Sequence, residues 1–335
     1  TSKGKLPKGK TFFFFFFYIR LFGHLLVVGV GFFLSTFFFF FNGILIQSGA
    51  RIDVGSFMAS TLNMSDQDFL SGNYQLQQQN DKPLAALVNN GSIQVSDGGF
   101  VVLTSPLLHN AGMILAQSGE VRLGAATRAT FSVDGQGLLQ FSVPDGFSHN
   151  FQASTPGGTV LLTPGQMSQM LAQAITSPSV QEAPELPPEG LLVHSGSIEV
   201  GAGSIRLDSS RATLTSEGSR LAANSAIAGS SGDIRVLSAG TTVSNGLIEA
   251  TGSGPAAGGF VEVSGSHIGL HGAVNVSAES GRHGRLLIDP ENLTLVEGPG
   301  TRVPPILFAD DPGTDQFVNV NVINGLSGQV RLEAT

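Results

Sequence analysis

Two histidines stand four residues apart, and this spacing allows a helix to present both imidazoles to one zinc ion. They are His267 and His271, in the stretch SGSHIGLHGAVNV. This stretch mixes glycine and serine with short apolar runs, which is typical of turns and strands rather than of a helix. The segment therefore predicts no metal site, and the seven histidines of the chain are otherwise scattered.

Carboxylates form two further groups with possible chemistry. Asp289 and Glu291 lie in DPENLT, and a carboxylate pair can hydrolyse glycosides. Asp310, Asp311 and Asp315 lie in ADDPGTDQ, where oxygen ligands suit calcium. The ordinary interpretations are that Asp289, which precedes a proline, ends a strand, and that the acidic cluster is a solvated turn. No GxSxG, P-loop or HExxH sequence occurs, so we predict no catalytic residue, no metal and no cofactor.

Composition excludes several classes of protein. Charged residues make up 13% of the 335 residues, 44 residues are glycine, and there is no cysteine. This composition favours many short strands joined by tight turns, and it excludes thiolate sites. Residues 42–335 carry 12 basic groups against all 25 acidic ones, and Lys82 is the only lysine after Lys10. Such an acidic surface repels phosphate backbones, so we predict no nucleic-acid partner.

From Asn42 onward the sequence consists of short phrases in which a turn is followed by alternating apolar and polar residues. Examples are NNGSIQV (89–95), HNAGMIL (109–115), HSGSIEV (194–200), SNGLIEA (244–250) and LHGAVNV (270–276). Within each phrase, apolar residues two positions apart lie on one face of a strand. The glycines supply the conformations that tight corners require.

The phrases recur at regular spacing. SGDIRV (231–236), GGFVEV (258–263) and HGRLLI (283–288) align at intervals of 27 and 25 residues, SNGLIEA and LHGAVNV at 26, and Gly91 and Gly112 are 21 apart. Such periods indicate stacked repeats that cannot bury their apolar faces alone. The sequence contains neither the recurrent leucine frame of leucine-rich repeats nor the long amphipathic stretches of helical repeats. The spacing predicts an all-β chain, a parallel β-helix whose coils stack about 4.8 Å apart. Outward positions are expected to be mostly Ser, Thr, Gln, Asn and Gly.

Two segments interrupt this pattern. In 63–74, Ser65 precedes Asp68 by three residues, which predicts a capped helical turn or a compact corner. In 163–179, Thr163 is a candidate N-cap, and Met167, Met170, Leu171 and Ala174 form a helical stripe that we interpret as core packing. The proline-rich stretch 177–190 is predicted to be an acidic loop outside the stack.

Three longer stretches resemble a known family. They are NGILIQSGARIDVGSFMASTLNMSDQDFLSGNYQLQ with GSIQVSDGGFVVLTSPLLHNAGMILAQSGEVRLGAA, and GRLLIDPENLTL (284–295). Together they are similar to the N-terminal secretion domain of filamentous-haemagglutinin-like exoproteins of two-partner secretion systems. The resemblance covers about 42–335, and VNVNVINGLSGQVRLEAT (318–335) looks like the first repeat of that family's filament. It implies a right-handed parallel β-helix and an outer-membrane pore protein as partner.

The same resemblance suggests one partner-binding site. The family's Asn-Pro-Asn-Gly motif would fall at 40–43, where this chain has Phe40, Phe41, Asn42 and Gly43. The remnant Asn42, Gly43, Ile44 and Leu45 is the expected secretion motif. The family's earlier Asn-Pro-Asn-Leu motif does not occur in this chain.

Residues 1–41 differ from the rest, because 14 of the 24 phenylalanines lie between Phe12 and Phe41. Three interpretations stay open. Lys3, Lys5, Lys8 and Lys10 before an apolar run imitate a signal peptide or membrane anchor. The rings could instead cap the β-helix. The third interpretation is a corrupted stretch of sequence in place of the family's first coil.

The resulting hypothesis has five parts along the chain: the Phe-rich segment 1–41, coils over 42–145, an insertion with a short helix and loop over 146–190, coils over 191–295, and the start of a filamentous repeat over 296–335. The family resemblance implies an adhesin-like surface protein exported by a Gram-negative bacterium, and a host or neighbouring-cell receptor for regions beyond this chain. A polysaccharide-degrading β-helix enzyme, or the stalk of a cytolysin or contact-dependent toxin, is the alternative. An enzyme would need several Asp, Lys or Arg side chains on one exterior face of adjacent coils.

Overall fold

The computed structural model describes residues 35–39, 43–65, 67–68, 75–79, 85–133, 139–142, 189–228, 231–290, 294–296, 317–319 and 326–332. These residues form 28 strands, numbered β1 to β28 in chain order, in four sheets. The expected helix within 163–179 lies outside the described residues.

Three of the sheets are parallel and form the sides of the molecule. Sheet I contains β1 (Ser35–Phe39), β4 (Ser56–Ser60), β8 (Phe100–Ser105), β11 (Glu120–Ala125), β16 (Ser204–Ser209), β19 (Asp233–Leu237), β22 (Phe260–Gly265), β25 (Arg285–Pro290) and β28 (Gln329–Leu332). Sheet II contains β2 (Ile44–Ile46), β6 (Ala86–Asn89), β9 (Leu107–Asn110), β14 (Leu191–His194), β17 (Ala212–Thr215), β20 (Thr241–Ser244), β23 (His267–Leu270), β27 (Phe317–Asn319) and β26 (Thr294–Val296). Sheet III contains β3 (Arg51–Val54), β7 (Ser92–Val95), β10 (Met113–Ala116), β15 (Ser197–Glu199), β18 (Arg220–Ala222), β21 (Leu247–Glu249) and β24 (Val274–Asn275).

From β1 to β25 the chain visits these sheets in a fixed rotation from sheet I to II to III, and strands of successive coils pair with one another in each sheet. This is a parallel β-helix, and it confirms the predicted repeats. Val261 pairs with Ile234 and with Leu286, which gives the intervals of 27 and 25 residues. The interval of 26 joins Ile248 to Val274, and the interval of 21 joins Ile93 to Ile114.

The core consists of ladders of identical or similar side chains that run through the stack. Every second residue of a strand points inward, and parallel register places it directly against the same position of the next coil. The inward ladder of sheet I is Phe57, Val101, Val121, Ile205, Ile234, Val261 and Leu286. That of sheet III is Ile52, Ile93, Ile114, Ile198, Leu221, Ile248 and Val274. All are buried, and each contributes about 1.5–3 kcal/mol relative to an exposed side chain.

Glycine columns form two corners of the coil because backbones of successive coils approach closely there. At the corner from sheet II to III, a Cβ on Gly196 would overlap the carbonyl oxygen of Gly112, and one on Gly112 would overlap that of Gly91. The same relation joins Gly203 to Gly119 at the corner from sheet III to I. The turn phrases of the sequence therefore reflect packing between coils as well as backbone conformation.

Insertions leave the coil between sheets I and II. Sheet IV is antiparallel and consists of β5 (Gln75–Gln77), β12 (Arg128–Val133) and β13 (Leu139–Ser142). Leu76 and Ala129 from this sheet pack with Met58 and Val102 of sheet I. At the start of the first insertion, the Asp68 amide donates to Ser65 Oγ at 3.0 Å, and Gln67 and Asp68 are helical. This confirms the capped turn predicted from the sequence.

The outward positions differ from the expectation of mostly small polar residues. Sheet I carries Arg122, Arg206, Arg235 and Glu262 in register on its outer face. Sheet II is buried on both faces in β6, β9, β14 and β17. The turns between strands are rich in Ser and Gly, whereas the outward positions of the strands include charged and apolar side chains.

Candidate functional site

The secretion-motif remnant lies at the start of the coil. Asn42 falls outside the described residues, while Gly43 has a φ of 107°, a left-handed conformation suited to glycine. Ile44 begins β2 and is buried in the core, whereas Leu45 points to the other face and is half-buried. Three of the four predicted residues are described, and of these three Gly43 and Leu45 are accessible on the folded surface.

This region contains the terminal strand of every parallel sheet. Strands β1, β2 and β3 are the first members of sheets I, II and III, and each pairs on one side with the next coil. Within the part of the chain that the structure describes, their other edges have no partner strand. Such an edge presents backbone N–H and C=O groups in a row, and these groups can pair with another chain.

The other candidate residues do not converge on a site. His267 lies in β23 and His271 in the turn after it, so the two histidines are not on a helix. Asp289 is the penultimate residue of β25, and the strand ends at Pro290, as the sequence predicted. Glu291, Asp310, Asp311 and Asp315 lie outside the described residues. The described ranges contain no group of three or more metal-ligating side chains.

The inner face of sheet II holds a polar ladder that pattern reasoning missed. Its members are fully or almost fully buried and stack in register: Asn89, Asn110, His194, Thr215 and Ser244. The phrases NNGSIQV, HNAGMIL, HSGSIEV, SNGLIEA and LHGAVNV each contain a glycine at this corner. Aligning the phrases on that glycine would have placed Asn89, Asn110 and His194 in one column, and this was the available signal.

Hydrogen bonds connect the first three members of the polar ladder in one direction. Asn89 Nδ2 donates to Asn110 Oδ1 at 2.7 Å, and Asn110 Nδ2 donates to His194 Nδ1 at 3.1 Å. The Gly91 amide donates to Asn89 Oδ1 at 3.1 Å, and His194 Nε2 donates to the Arg220 carbonyl at 3.2 Å. A backbone amide can only donate and a carbonyl can only accept, so both ends determine the direction of the chain and keep His194 neutral.

A second buried histidine lies on the outer face of the same sheet. His109 is 5% exposed, its Nε2 is 2.9 Å from Ser195 Oγ, and its Nδ1 has no hydrogen-bond partner among the described residues. Burial lowers the pKa of His109 to about 4. The pKa of His194 is also lowered to about 4, mainly by burial, against which its hydrogen bond to Arg220 acts.

Several charged side chains on the outer surface form ion pairs. Arg220 of β18 binds Glu199 of β15 and Glu249 of β21, so it bridges the coils on either side; its Nε lies 2.8 Å from Glu249 Oε2. On sheet I, Arg235 binds Asp233 and Glu262, and the hydrogen bonds that it donates to Asp233 raise the pKa of Arg235. These carboxylates are ion-pair partners, and this arrangement joins coils rather than forming a reactive pair.

The family of the chain follows from comparison with known proteins. A family model described as "TPS secretion domain" matches residues 41–236, more than half of the chain. The chain belongs to this family. The matched region begins one residue before Asn42 and ends at Val236, so it includes the edge strands β2 and β3, the polar ladder up to Thr215 and both buried histidines. TPS secretion domains belong to two-partner secretion exoproteins, which act with an outer-membrane transporter and are secreted by Gram-negative bacteria.

A solved structure has the same fold. The secretion domain of HMW1 from Haemophilus influenzae aligns with a TM-score of 0.56 and 21% sequence identity, over 90% of this chain. The alignment spans 66% of that protein chain. A search of curated proteins finds no match. Of the residues that the structure describes, none belongs to a helix long and apolar enough to cross a membrane.

Proposed function

We propose that this TPS secretion domain guides a large adhesin-like exoprotein through an outer-membrane pore partner and then nucleates the folding of its β-helix at the cell surface. Asn42, Gly43, Ile44 and Leu45 serve as the sequence that the pore partner recognises in the unfolded chain. We propose five parts along the chain: the Phe-rich segment 1–41, coils over 42–145, an insertion over 146–190, coils over 191–295 and the start of a filamentous repeat over 296–335. The family is one of secretion domains, and the proposal includes no enzymatic activity.

The uninterrupted register of the coils carries the proposal. Each inward residue of the sheet I ladder from Ile234 to Leu286 lies in register with its counterpart one coil earlier and one coil later. A coil therefore has a complete template as soon as the preceding coil has folded, and it needs no distant part of the chain. Nucleation at one end followed by propagation suits a polypeptide that emerges from a pore in order.

Burial of each ladder makes export of the chain directional. A coil that has stacked hides several aliphatic side chains, each of which contributes about 1.5–3 kcal/mol. Pulling the coil back into the pore would expose them again. Folding on the outer side thus opposes return of the chain.

The first experiment introduces charge into one central coil. Val261→Asp with Val263→Asp places two carboxylates in ladders that are completely buried, and secretion through the pore partner is expected to stall. The matched control is Leu287→Asp in the next strand, since Leu287 points outward and is half-exposed. Equal amounts of secreted protein from the double variant and the control would contradict folding-driven export.

The second experiment tests the recognition motif separately. Leu45→Asp changes the outward residue of β2 and should leave the fold of the purified domain intact, while secretion falls. Gln47→Asp adds the same charge two residues further on, at an exposed position, and should be secreted normally. Normal secretion of Leu45→Asp would remove Leu45 from the motif without affecting the folding argument.

Adhesion completes the proposal. The surface-displayed protein would bind a host or neighbouring-cell receptor through regions beyond this chain. Incubation of the purified domain with acidic polysaccharides should produce no new chain ends. Turnover in that assay would instead support the enzymatic alternative.

A further inference from the structure

The buried histidines lie at a structurally distinctive junction of the stack. Strands β9 and β14 are neighbours in sheet II, yet the residues paired between them, such as Leu107 and Leu191, are 84 positions apart. The pairs β10–β15 and β11–β16 of the same junction have the same separation, whereas at the other junctions of the described stack it is shorter, for example 44 between Phe57 and Val101 and 27 between Ile234 and Val261. Closing this junction carries the largest loss of chain entropy among the described coil contacts, because the chain between the strands is longest. We call the β9–β14 contact the seam.

Both histidines belong to the seam but occupy opposite faces of it. His109 of β9 lies on the outer face, between Val88 of β6 and Val193 of β14 in register. His194 of β14 lies on the inner face between Asn110 and Thr215. Each side chain reaches across the seam, His109 to Ser195 Oγ and His194 to Asn110 Nδ2.

His194 cannot take up a proton without breaking the contacts of the seam. A proton on His194 Nδ1 would face the amino group of Asn110, which is itself a donor. Turning Asn110 over would direct that amino group at Asn89 Nδ2, and turning Asn89 as well would remove the acceptor of the Gly91 amide. The hydrogen-bond chain thus has no alternative arrangement.

His109 lacks a compensating partner for a second ring proton. Protonation would create a buried cation whose Nδ1–H finds no acceptor among the described residues.

No carboxylate in the described residues offsets these charges. Among the described groups, the only charge that bears on His194 is that of His109, which disfavours protonation. The Arg220 carbonyl accepts from His194, but the guanidinium of Arg220 binds Glu199 and Glu249 on the outer face of sheet III. Val88 and Val193 flank His109, and neither has a charge.

We propose that His109 and His194 form an acid-sensitive seam, which closes when both rings are neutral and opens when they take up protons. The inference concerns the folded domain and stands whether or not the domain is exported as proposed. It adds a condition to that export, because mild acid would favour the unfolded chain over the stacked one.

The sign follows from linkage. In the folded state the pKa of each ring is about 4, and in the unfolded chain it is near the ordinary value of 6.5. The stability that the neutral rings provide is fully present above pH 6.5 and is lost as the pH falls from 6.5 towards 4. At pH 5, the unfolding equilibrium constant should be higher than at pH 7.5 by about 30-fold for each histidine.

The experiment is urea unfolding of the whole chain at pH 7.5 and pH 5, followed by circular dichroism. The wild-type protein should unfold at much lower urea at pH 5. His109→Gln with His194→Asn, which cannot take up these protons, should lose most of that difference. His283→Gln changes an exposed histidine and should keep it. A wild-type midpoint that is the same at both pH values, or an equal fall in the double variant, would overturn the seam.

A second measurement covers the case in which the double variant does not fold. The imidazole signals of His109 and His194 in wild-type protein, followed by NMR from pH 8 to 5, should show no titration while the domain is folded. Titration of both rings near pH 6.5 in the folded domain would refute the proposal.

Discussion

Sheets II and III are formed by the same coils, yet they differ in how deeply their two faces are buried and in the side chains of their inner ladders. Sheet III alternates buried and accessible residues, as in β7 and β10, and its inner ladder from Ile52 to Val274 is aliphatic throughout. Sheet II is buried on both faces, and its inner face includes the polar ladder. The inner face of sheet III is therefore joined by apolar burial, whereas that of sheet II combines apolar burial with side-chain hydrogen bonds between coils.

The largest effect is expected from charge placed in the two sheets. In sheet III, Ile198→Asp should unfold the domain, whereas Ser197→Asp on the same strand should change stability by less than about 0.5 kcal/mol, because Ser197 faces outward beside Arg220. In sheet II, Leu192→Asp and Val193→Asp should both unfold it, since both faces are buried. Urea midpoints of the four variants provide the test. A tolerated Val193→Asp would show that the outer face of sheet II is open to water in solution.

The corner between the two sheets should be the next most sensitive place. Gly196→Ala inserts a methyl group into the carbonyl of Gly112, and we expect a loss of about 3 kcal/mol or more. Gly218→Ala is the matched control: its φ is +91° but nothing lies within 4 Å of the added carbon, so backbone strain alone costs about 1 kcal/mol. Thermal unfolding of both variants distinguishes packing between coils from backbone conformation. Equal losses would mean that these glycines are required for backbone conformation and not for close packing between coils.

Truncation of one inner rung in each sheet compares the two kinds of ladder. Ile114→Ala in sheet III should cost about 2–5 kcal/mol by leaving a cavity. Asn110→Ala removes far less apolar surface, but it leaves Asn89 Nδ2 and His194 Nδ1 without partners, at about 1–3 kcal/mol each. Denaturant titration of both variants measures the losses. If Asn110→Ala cost less than about 0.5 kcal/mol, the hydrogen bonds of the polar ladder would not contribute to the stability of the stack.

The smallest effect is expected on the exposed face of sheet III. Arg220→Met removes the bridge to Glu199 and Glu249, but the Arg220 side chain is 35% exposed, so the loss should be about 0.5–1 kcal/mol. The loss should shrink in 1 M NaCl because salt screens accessible charges. Unfolding at low and high salt checks this, with Ser92→Ala, half-buried on the same face, as a neutral control. A loss that is independent of salt would indicate packing by the arginine stem instead.

Much of the fold followed from local patterns. Alternation within GSIQV and GSIEV identified the inner face of sheet III, and the intervals of 21, 25, 26 and 27 residues predicted the register found between coils. Ser65 and Asp68 predicted a capped turn from spacing alone. These features depend on neighbours within one strand or one turn, and such neighbours are visible in the sequence.

The remainder depended on residues that are distant in sequence. His109 and His194 are 85 positions apart and look unrelated, and so do Arg220 and its two glutamates. Val193 looks like any other strand residue, yet its outward side chain is completely buried in the folded protein. A sequence states the period of a coil, because hydrophobic alternation and turn chemistry are local. Only the tertiary structure decides which coils meet, because register across an insertion of any length depends on the contacts made after the chain returns.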